Sequence, residues 1–368
     1  ITMMVTHEHK KDDSNEVEKE TEEETLNSMI PIWKKDKKNI KDEDYQQFYH
    51  DKFFDYEDSI KVIHSSVEGK CTYTTLLYIP SHAPYDFYTK EYEKGLQLYA
   101  NGVLIMDKCK ELLPDYFSFV KGLVDTSDLS LNISREMLQQ DKNLGLIASN
   151  IEKKIKKELE MMIEEDRDNY EKFFKAFGMQ LKFGIYNSYG MKKDELQDLL
   201  MFYSSSEKKL VTLKEYISRI KDKQDKIYYA CGETVDKIDM LPQVEQLKDK
   251  GYEVLYLTDY VDEFVVQVMN NYDGKQFVNV STSNVDLDSD EEKQELQNKN
   301  IEYKDVFEVM RNTLKDNNVS GIRFTHRLKN HPVCLVTEGD VSIEMEKVMN
   351  AMPTDEKVKA KTILEINE

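Results

Sequence analysis

A chain of 368 residues, 39% apolar and 33% charged, has the length for two or three domains with proper cores and the composition of a soluble globular protein. A formal net charge of −20 and a pI near 4.9 argue against nucleic acid or an anionic membrane as the main partner. No apolar run approaches the roughly 18–20 residues a membrane span requires, none resembles a secretory signal, and Cys71, Cys109, Cys231 and Cys334 lack metal-like spacing and suit a reducing cytoplasm.

Ile1–Thr6 is a short β-favouring run with no local partner, and His7–Glu24, mostly Glu, Lys and Asp without an apolar period, reads as a solvated linker or, alternatively, an acidic tail. A domain begins at Pro31. Asp42–Tyr49 reads as a short helix, and Ile60–Ser66, Cys71–Tyr78 and Leu96–Met106 carry strand residues, with turn signals at Glu68–Gly69 and Asn101–Gly102. Asn-Gly between LQLYA and VLIMD predicts a hairpin. Strands first and helices after predict a sheet with helices packed on it. Leu113, Tyr116, Phe117, Val120 and Val124 recur at helical spacing, which predicts a helix over Leu112–Val124, ended by the turn formers Asp125, Ser127 and Asp128.

The stretch Leu131–Gln140, LNISREMLQQ, follows. Ser134 suits an N-cap, Arg135 and Gln139 share a face four residues apart, and Asn132 lies in the loop before them. A first-turn arginine opposes the helix dipole. It makes sense there if an anion arrives beside the free backbone N–H groups, most simply a phosphate; the plain alternative is a surface or core-bridging arginine.

Leu144, Ile147, Ile151, Ile155, Leu159 and Met162 predict a long amphipathic helix, and Tyr170–Phe177 and Glu195–Tyr203 shorter ones, together a connector that only packs. Thr212 and Glu215 form a capping-box pattern for a helix over Leu213–Ile220. Strand Lys226–Cys231, helices across Thr234–Lys250 ended by Gly251, strand Tyr252–Thr258, helix Asp262–Asn270 and strand Gln276–Val280 describe a small parallel α/β unit. Gly232 stands alone and lacks a phosphate loop's pattern. Ser281–Glu302 reads as a second linker, followed by helix Tyr303–Lys315, strands Gly321–Thr325 and Val333–Thr337, helix Ser342–Ala351 and strand Thr362–Ile366. His64, His326 and His331 do not pair with acids or cysteines at ligand spacing, so no metal site is expected.

LNISREMLQQ resembles the most distinctive motif of the 90-kDa heat-shock chaperone family. The likeness extends through Pro31–Gly69, Tyr78–Tyr88, Gly95–Cys109 and Ile227–Thr234, which are similar to the family's middle domain, and Arg327–Pro353, which resembles the start of its C-terminal domain. The resemblance implies an α/β (α+β) fold: a three-layer α/β/α subdomain, a helical connector and a smaller α/β/α subdomain, then a truncated mixed α/β C-terminal domain. In residues, 1–30 would be the end of a nucleotide-binding domain and a charged linker, and 31–280 the middle domain (31–155 large α/β, 156–211 connector, 212–280 small α/β). Residues 281–302 would be a linker and 303–368 the truncated C-terminal domain, so the chain is expected to be a piece of a longer protein.

The resemblance also implies sites and partners. Arg135 would reach the γ-phosphate of ATP held by the N-terminal domain, with Gln139 and Asn132 as its neighbours in that catalytic role. The general base and the magnesium ligand would lie in that other domain, so this piece alone should not hydrolyse ATP and should carry no nucleotide. Unfolded or partly folded clients would bind Trp33, the loop with Tyr85 and Phe87, and the face made by Met345, Met349 and Met352. All are expected to be exposed, although a lone tryptophan and a methionine stripe are more often core. A homodimer is implied for the full-length protein and a monomer for this piece. Nucleic acid and membrane are not expected as partners, and the location would be cytoplasmic. The rival readings are a passive client- or partner-binding scaffold and the transducer region of another ATPase, such as a type II topoisomerase or mismatch-repair protein; those usually place a lysine on the γ-phosphate.

Overall fold

The computed structural model describes residues 2–10, 17–25, 30–129, 141–222, 224–282, 288–314, 318–353 and 357–368. They form a mixed α/β structure with several sheets, in two units: Ile1–Ser81, Thr89–Leu113 and Val120–Ile151 make the first, and His82–Tyr88, Pro114–Phe119 and Glu152–Glu368 the second.

The first unit opens with β1 (Thr2–Lys10) and β2 (Val17–Thr25), an antiparallel pair whose register sets Glu8 opposite Lys19. This corrects the expected linker over His7–Glu24. A polar composition rules out a buried core, yet ladder hydrogen bonds use the backbone, which every residue supplies. Helix α1 (Asp42–Phe53) starts with Asp42, Glu43 and Asp44, where the helix dipole favours carboxylates, and stops at Phe54 in the left-handed region. Its Tyr45 and Tyr49 share a core with Leu76, Tyr78 and Leu123.

Strands β3 (Lys61–Val67), β4 (Tyr73–Ile79), β5 (Leu96–Ala100), β6 (Val103–Cys109) and β7 (Lys121–Thr126) form a sheet in the order β3-β4-β7-β5-β6, with β5 parallel to β7 and the other pairs antiparallel. The predicted hairpin joins β5 to β6, Asn101 (φ 50°) and Gly102 (φ 81°) taking the positive φ values its two-residue turn demands. The helix expected over Leu112–Val124 does not form. Pro114 interrupts it, short 3-10 turns at Lys110–Leu112 and Asp115–Phe117 bury Leu112, Tyr116 and Phe117, and the rest is β7. Gly122 fits only that strand: at φ +143°, a Cβ there would lie 2.3 Å from the Leu76 carbonyl oxygen of β4.

Helices α2 (Lys142–Glu165) and α3 (Arg167–Asn187) follow, the second longer at both ends than Tyr170–Phe177. Phe119, Tyr170, Phe173 and Phe177 pack ring against ring in the second unit. The helix expected over Glu195–Tyr203 ends early: after α4 (Lys193–Leu196) and a 3-10 turn, β8 (Met201–Ser204) pairs with β9 (Leu210–Thr212), burying Met201 and Phe202. Helix α5 (Leu213–Arg219) carries the predicted reciprocal cap, Thr212 Oγ1 accepting the Glu215 amide at 3.2 Å and Glu215 Oε2 the Thr212 amide at 2.7 Å.

The α/β unit runs β10 (Lys226–Cys231), α6 (Val235–Asp239), α7 (Pro242–Asp249), β11 (Val254–Leu257), α8 (Asp262–Met269), β12 (Asn271–Tyr272) and β13 (Lys275–Asn279). Its sheet order is β12-β13-β10-β11-β8-β9, with β10 parallel to β11 and β13 as expected and antiparallel strands at the edges. Then comes α9 (Asp290–Glu302), which corrects the second linker. Ser289 and Glu292 cap it reciprocally, and it buries no residue, so no apolar period announced it. Helix α10 (Lys304–Leu314), β14 (Val319–Thr325), β15 (Val333–Glu338), α11 (Ile343–Ala351) and β16 (Lys361–Asn367) complete the chain, the strands in the order β14-β16-β15. No described helix is long and apolar enough to cross a membrane.

Two consequences are measurable. Gly122→Ala should cost about 1–3 kcal/mol through the clash with β4 and lower the melting temperature by several degrees, whereas Gly69→Ala, with nothing within 4 Å, should leave it unchanged. Equal melting of the two variants would contradict the close strand approach. Burial alone would raise the Asp239 carboxyl, but hydrogen bonds from Lys248, Tyr256 and Lys208 bring it from 3.8 to about 2. A depressed folded value means stability that is present above 3.8 and lost as pH falls towards 2. Asp239→Asn should therefore flatten that part of a plot of melting temperature against pH.

Candidate functional site

Strand β7 ends on a buried carboxylate that gathers three donors. Asp125 Oδ2 accepts the Trp33 Nε1–H at 3.0 Å and lies 2.9 Å from Lys34 Nζ, and Oδ1 accepts the Gly102 amide at 3.0 Å. The indole packs on Phe48 and Tyr99. The Trp33 carbonyl lies 3.0 Å from His64 Nε2, whose Nδ1 is 2.7 Å from the Tyr45 hydroxyl. Burial depresses the His64 pKa, opposed by the Trp33 carbonyl and aided by Lys37. A neutral ring protonated on Nε2 satisfies both contacts, donating to the carbonyl and accepting from the tyrosine.

Past Asp125 the chain is tied to β4's approach. Thr126 Oγ1 donates to the Thr72 carbonyl at 2.9 Å and accepts the Asp128 amide at 3.2 Å, and Asp128 Oδ2 accepts the Thr72 amide at 2.7 Å. On the far side, Asp141 Oδ1 accepts the Asn143 and Leu144 amides at 2.8 and 3.0 Å, capping α2. Burial, then the carboxylates of Asp128 and Asp141, push up the thiol of Cys71. Asn132, Arg135 and Gln139, with the cap expected at Ser134, lie between these flanks and outside the described residues.

The expected client-binding residues divide. Trp33 is 9% exposed, which corrects its reading as an open ring: a buried indole N–H needs a partner and finds Asp125. Phe87 is also buried, its ring 5.2 Å from Phe177 and 4.8 Å from Tyr88, while Tyr85 is fully exposed. Met345 is buried with Sδ 3.0 Å from Gln267 Nε2, Met349 is half-buried, and Met352 is 43% exposed. The stripe therefore faces inward at its start. The reason is the cap of α11: Ser342 Oγ accepts the Met345 amide at 3.0 Å and donates to Glu263 Oε2 at 2.5 Å, which turns the first helical turn towards α8.

Glu263 also accepts Asn279 Nδ2 at 2.6 Å; burial raises its carboxyl pKa, and the bonds from Ser342 and Asn279 oppose the rise. Beside it, at the carboxyl ends of β10 and β11, a cavity of about 270 Å³ is lined by Cys231, Leu257, Tyr260, Phe264, Met345 and Val348. Open α/β sheets characteristically present such crevices at that end. Asp125 and Glu263 escape a reading by residue type, the first because it looks like a turn former and the second because acids are ordinary in a first helical turn. The available signals were an acid closing an apolar strand run and an acid beside the apolar run FVV.

The family model described as Hsp90 protein matches residues 3–368. The Chaperone protein HtpG of Bacillus subtilis is 53% identical over 358 residues, 97% of this chain and 57% of that protein. The Chaperone protein HtpG of Clostridium acetobutylicum is 57% identical with the same coverage. The chain thus spans 57% of the length of these relatives. The middle domain of a Plasmodium falciparum heat shock protein, 32% identical, aligns with a TM-score of 0.61 over 68% of this chain and all of that domain. With the family matched across nearly its whole length, the chain belongs to the Hsp90 protein family.

Proposed function

We propose that this chain is the part of an ATP-dependent chaperone that holds client polypeptides and supplies the arginine for the γ-phosphate of ATP. The observation that carries the reading is an unbroken LNISREMLQQ in a member of the Hsp90 family. ATP, held with magnesium by an N-terminal domain of the full-length protein, supplies the phosphoryl group. Arg135 offers that group a planar, permanently charged guanidinium, with Gln139 and Asn132 as its neighbours in the motif. A fixed guanidinium in such a place is worth roughly a thousandfold or more in rate. Residues 31–280 are then the middle domain, 1–30 the end of the nucleotide-binding domain, and 303–368 the front of a C-terminal domain. The piece alone should turn over no ATP. It works in the cytoplasm, and the full-length protein pairs as a homodimer.

Clients meet exposed Tyr85 and Met352 and the apolar cavity beside Met345. Trp33 and Phe87, covered by their own neighbours, serve the fold instead. Several modest apolar contacts give the broad, weak affinity that a chaperone needs.

In the full-length protein, Arg135→Ala should cut ATP turnover about a thousandfold or more while nucleotide affinity, measured by titration, barely moves. Near-normal turnover would sink the assignment. The double substitution Tyr85→Ser with Met352→Ser should weaken binding of a permanently unfolded model protein several-fold at constant melting temperature. Met345→Ser should instead melt several degrees earlier, because it opens a core site at a cost of about 2–4 kcal/mol. If the double variant melts early and Met345→Ser does not, the client face is on the other side of α11.

A further inference from the structure

The cavity at the carboxyl ends of β10 and β11 is lined by five charged side chains, Glu233, Asp259, Glu263, Glu344 and Lys347. Three of the four carboxylates have a cation at hand: Glu233 has Lys237, Asp259 has Lys182 at 2.7 Å, and Glu344 has Lys347 at 2.7 Å. Glu263 has none. Among the described residues its partners are neutral donors: Asn279 Nδ2 at 2.6 Å, the Ser342 hydroxyl at 2.5 Å and the Cys231 thiol. A carboxylate has about four acceptor positions, so one remains for a further donor. A buried carboxylate facing only neutral groups is costly, because no opposite charge offsets its loss of water. Neighbouring groups register the same negative field. Burial, then the charges of Glu263, Asp262 and Glu344, hold the Cys231 thiol well above its ordinary value, and Glu344 adds to the burial that raises Glu263 itself.

The other walls are apolar. Leu257, Met345 and Val348 supply aliphatic surface, and Tyr260 and Phe264 supply rings on either side of Glu263 in the sequence. Both rings are propped from α3, Tyr260 against Phe183 with centroids 6.2 Å apart and Phe264 against Tyr186 at 5.9 Å. Aromatic faces beside a carboxylate favour a cation, which the ring quadrupole and the negative charge both attract. Size limits the ligand further. A cavity of about 150 Å³ takes benzene, so one of about 270 Å³ has room for a ring and a short chain.

We propose that this cavity binds a small organic ammonium ion, an aryl- or alkylamine whose apolar body lies on Leu257, Met345 and Val348 and whose cation pairs with Glu263. A neutral apolar molecule would leave Glu263 uncompensated, and an anion would meet four carboxylates. A bare metal ion does not fit, because among the described residues no group of His, Cys, Asp and Glu side chains is placed to hold one. The inference does not rest on the chaperone reading, since it follows from the charge and size of the cavity alone.

The test is calorimetric titration of the 368-residue chain with phenethylamine, its neutral isostere phenethyl alcohol and the anion phenylpropanoate. The amine should bind, the alcohol about tenfold more weakly or worse, and the anion without measurable heat. Glu263→Gln keeps an acceptor for Asn279 and Ser342 but loses the charge, so amine and alcohol should then bind within about twofold of each other. Glu233→Gln should leave the amine's affinity unchanged, because Lys237 already offsets that carboxylate. Val348→Phe fills the cavity and should abolish binding of the amine and the alcohol alike. Equal binding of amine and alcohol by wild type, an amine preference that survives Glu263→Gln, wild-type affinity in Val348→Phe, or no binding of the amine each overturns the proposal. If Glu263→Gln melts early, the comparison of amine with alcohol on wild type, together with Val348→Phe, decides it.

Discussion

A carboxylate buried as deeply as Asp125 must be paired, and its three donors come from parts of the chain far apart in sequence. Trp33 and Lys34 stand at the entrance to α1, Gly102 at the tip of the β5–β6 hairpin, and Asp125 itself at the end of β7. Breaking such a cluster by removing one partner typically costs about 3–5 kcal/mol, because the charge stays buried without compensation. The hairpin tip, the opening turn and the exit of β7 therefore hold one another in register, and the segment beyond Asp128 starts from a fixed point. The second unit uses the same device. Lys182 of α3 sits between Asp259 and Asp262 at 2.7 and 2.6 Å, over the faces of Phe174 and Phe202. Burial works against its charge, but two carboxylates outweigh it and keep the lysine protonated.

Helix α8 turns one acid to each side. Asp262 reaches Lys182 on α3, and Glu263 reaches Ser342 at the start of α11. Neither carboxylate is free to leave, since each satisfies a donor that would otherwise be buried alone. The wall of the cavity that includes Phe264 and Met345 is thus set by hydrogen bonds at its rim as well as by apolar packing.

Much of this was legible in the sequence where local chemistry decides structure. Asn101–Gly102 announces its turn, Thr212 with Glu215 its cap, and the alternation of apolar strands and helices from Lys226 its parallel core. Local patterns misled where two structures share them. The spacing of Leu113, Tyr116 and Phe117 suits a helix and also a pair of 3-10 turns, and the deciding facts, Pro114 and the approach of Leu76 to Gly122, are one local and one distant. Helix α9 was invisible because it buries nothing. For the site, the motif around Arg135 stands out in the sequence, whereas exposure does not: whether Trp33 or Met345 faces outward depends on Asp125 and, through Ser342, on Glu263, residues that become neighbours only on folding.

The burial of Trp33 has a spectroscopic consequence. It is the one tryptophan of the chain and lies in the first unit, ringed by Phe48 and Tyr99, with a carboxylate on its nitrogen. Excitation at the red edge of the protein band therefore reports the environment of that unit alone, while the second unit is silent except through its tyrosines. Comparison of indole emission with backbone circular dichroism during denaturation asks directly whether the two units unfold in one step, a question that chains with several tryptophans cannot resolve without substitution.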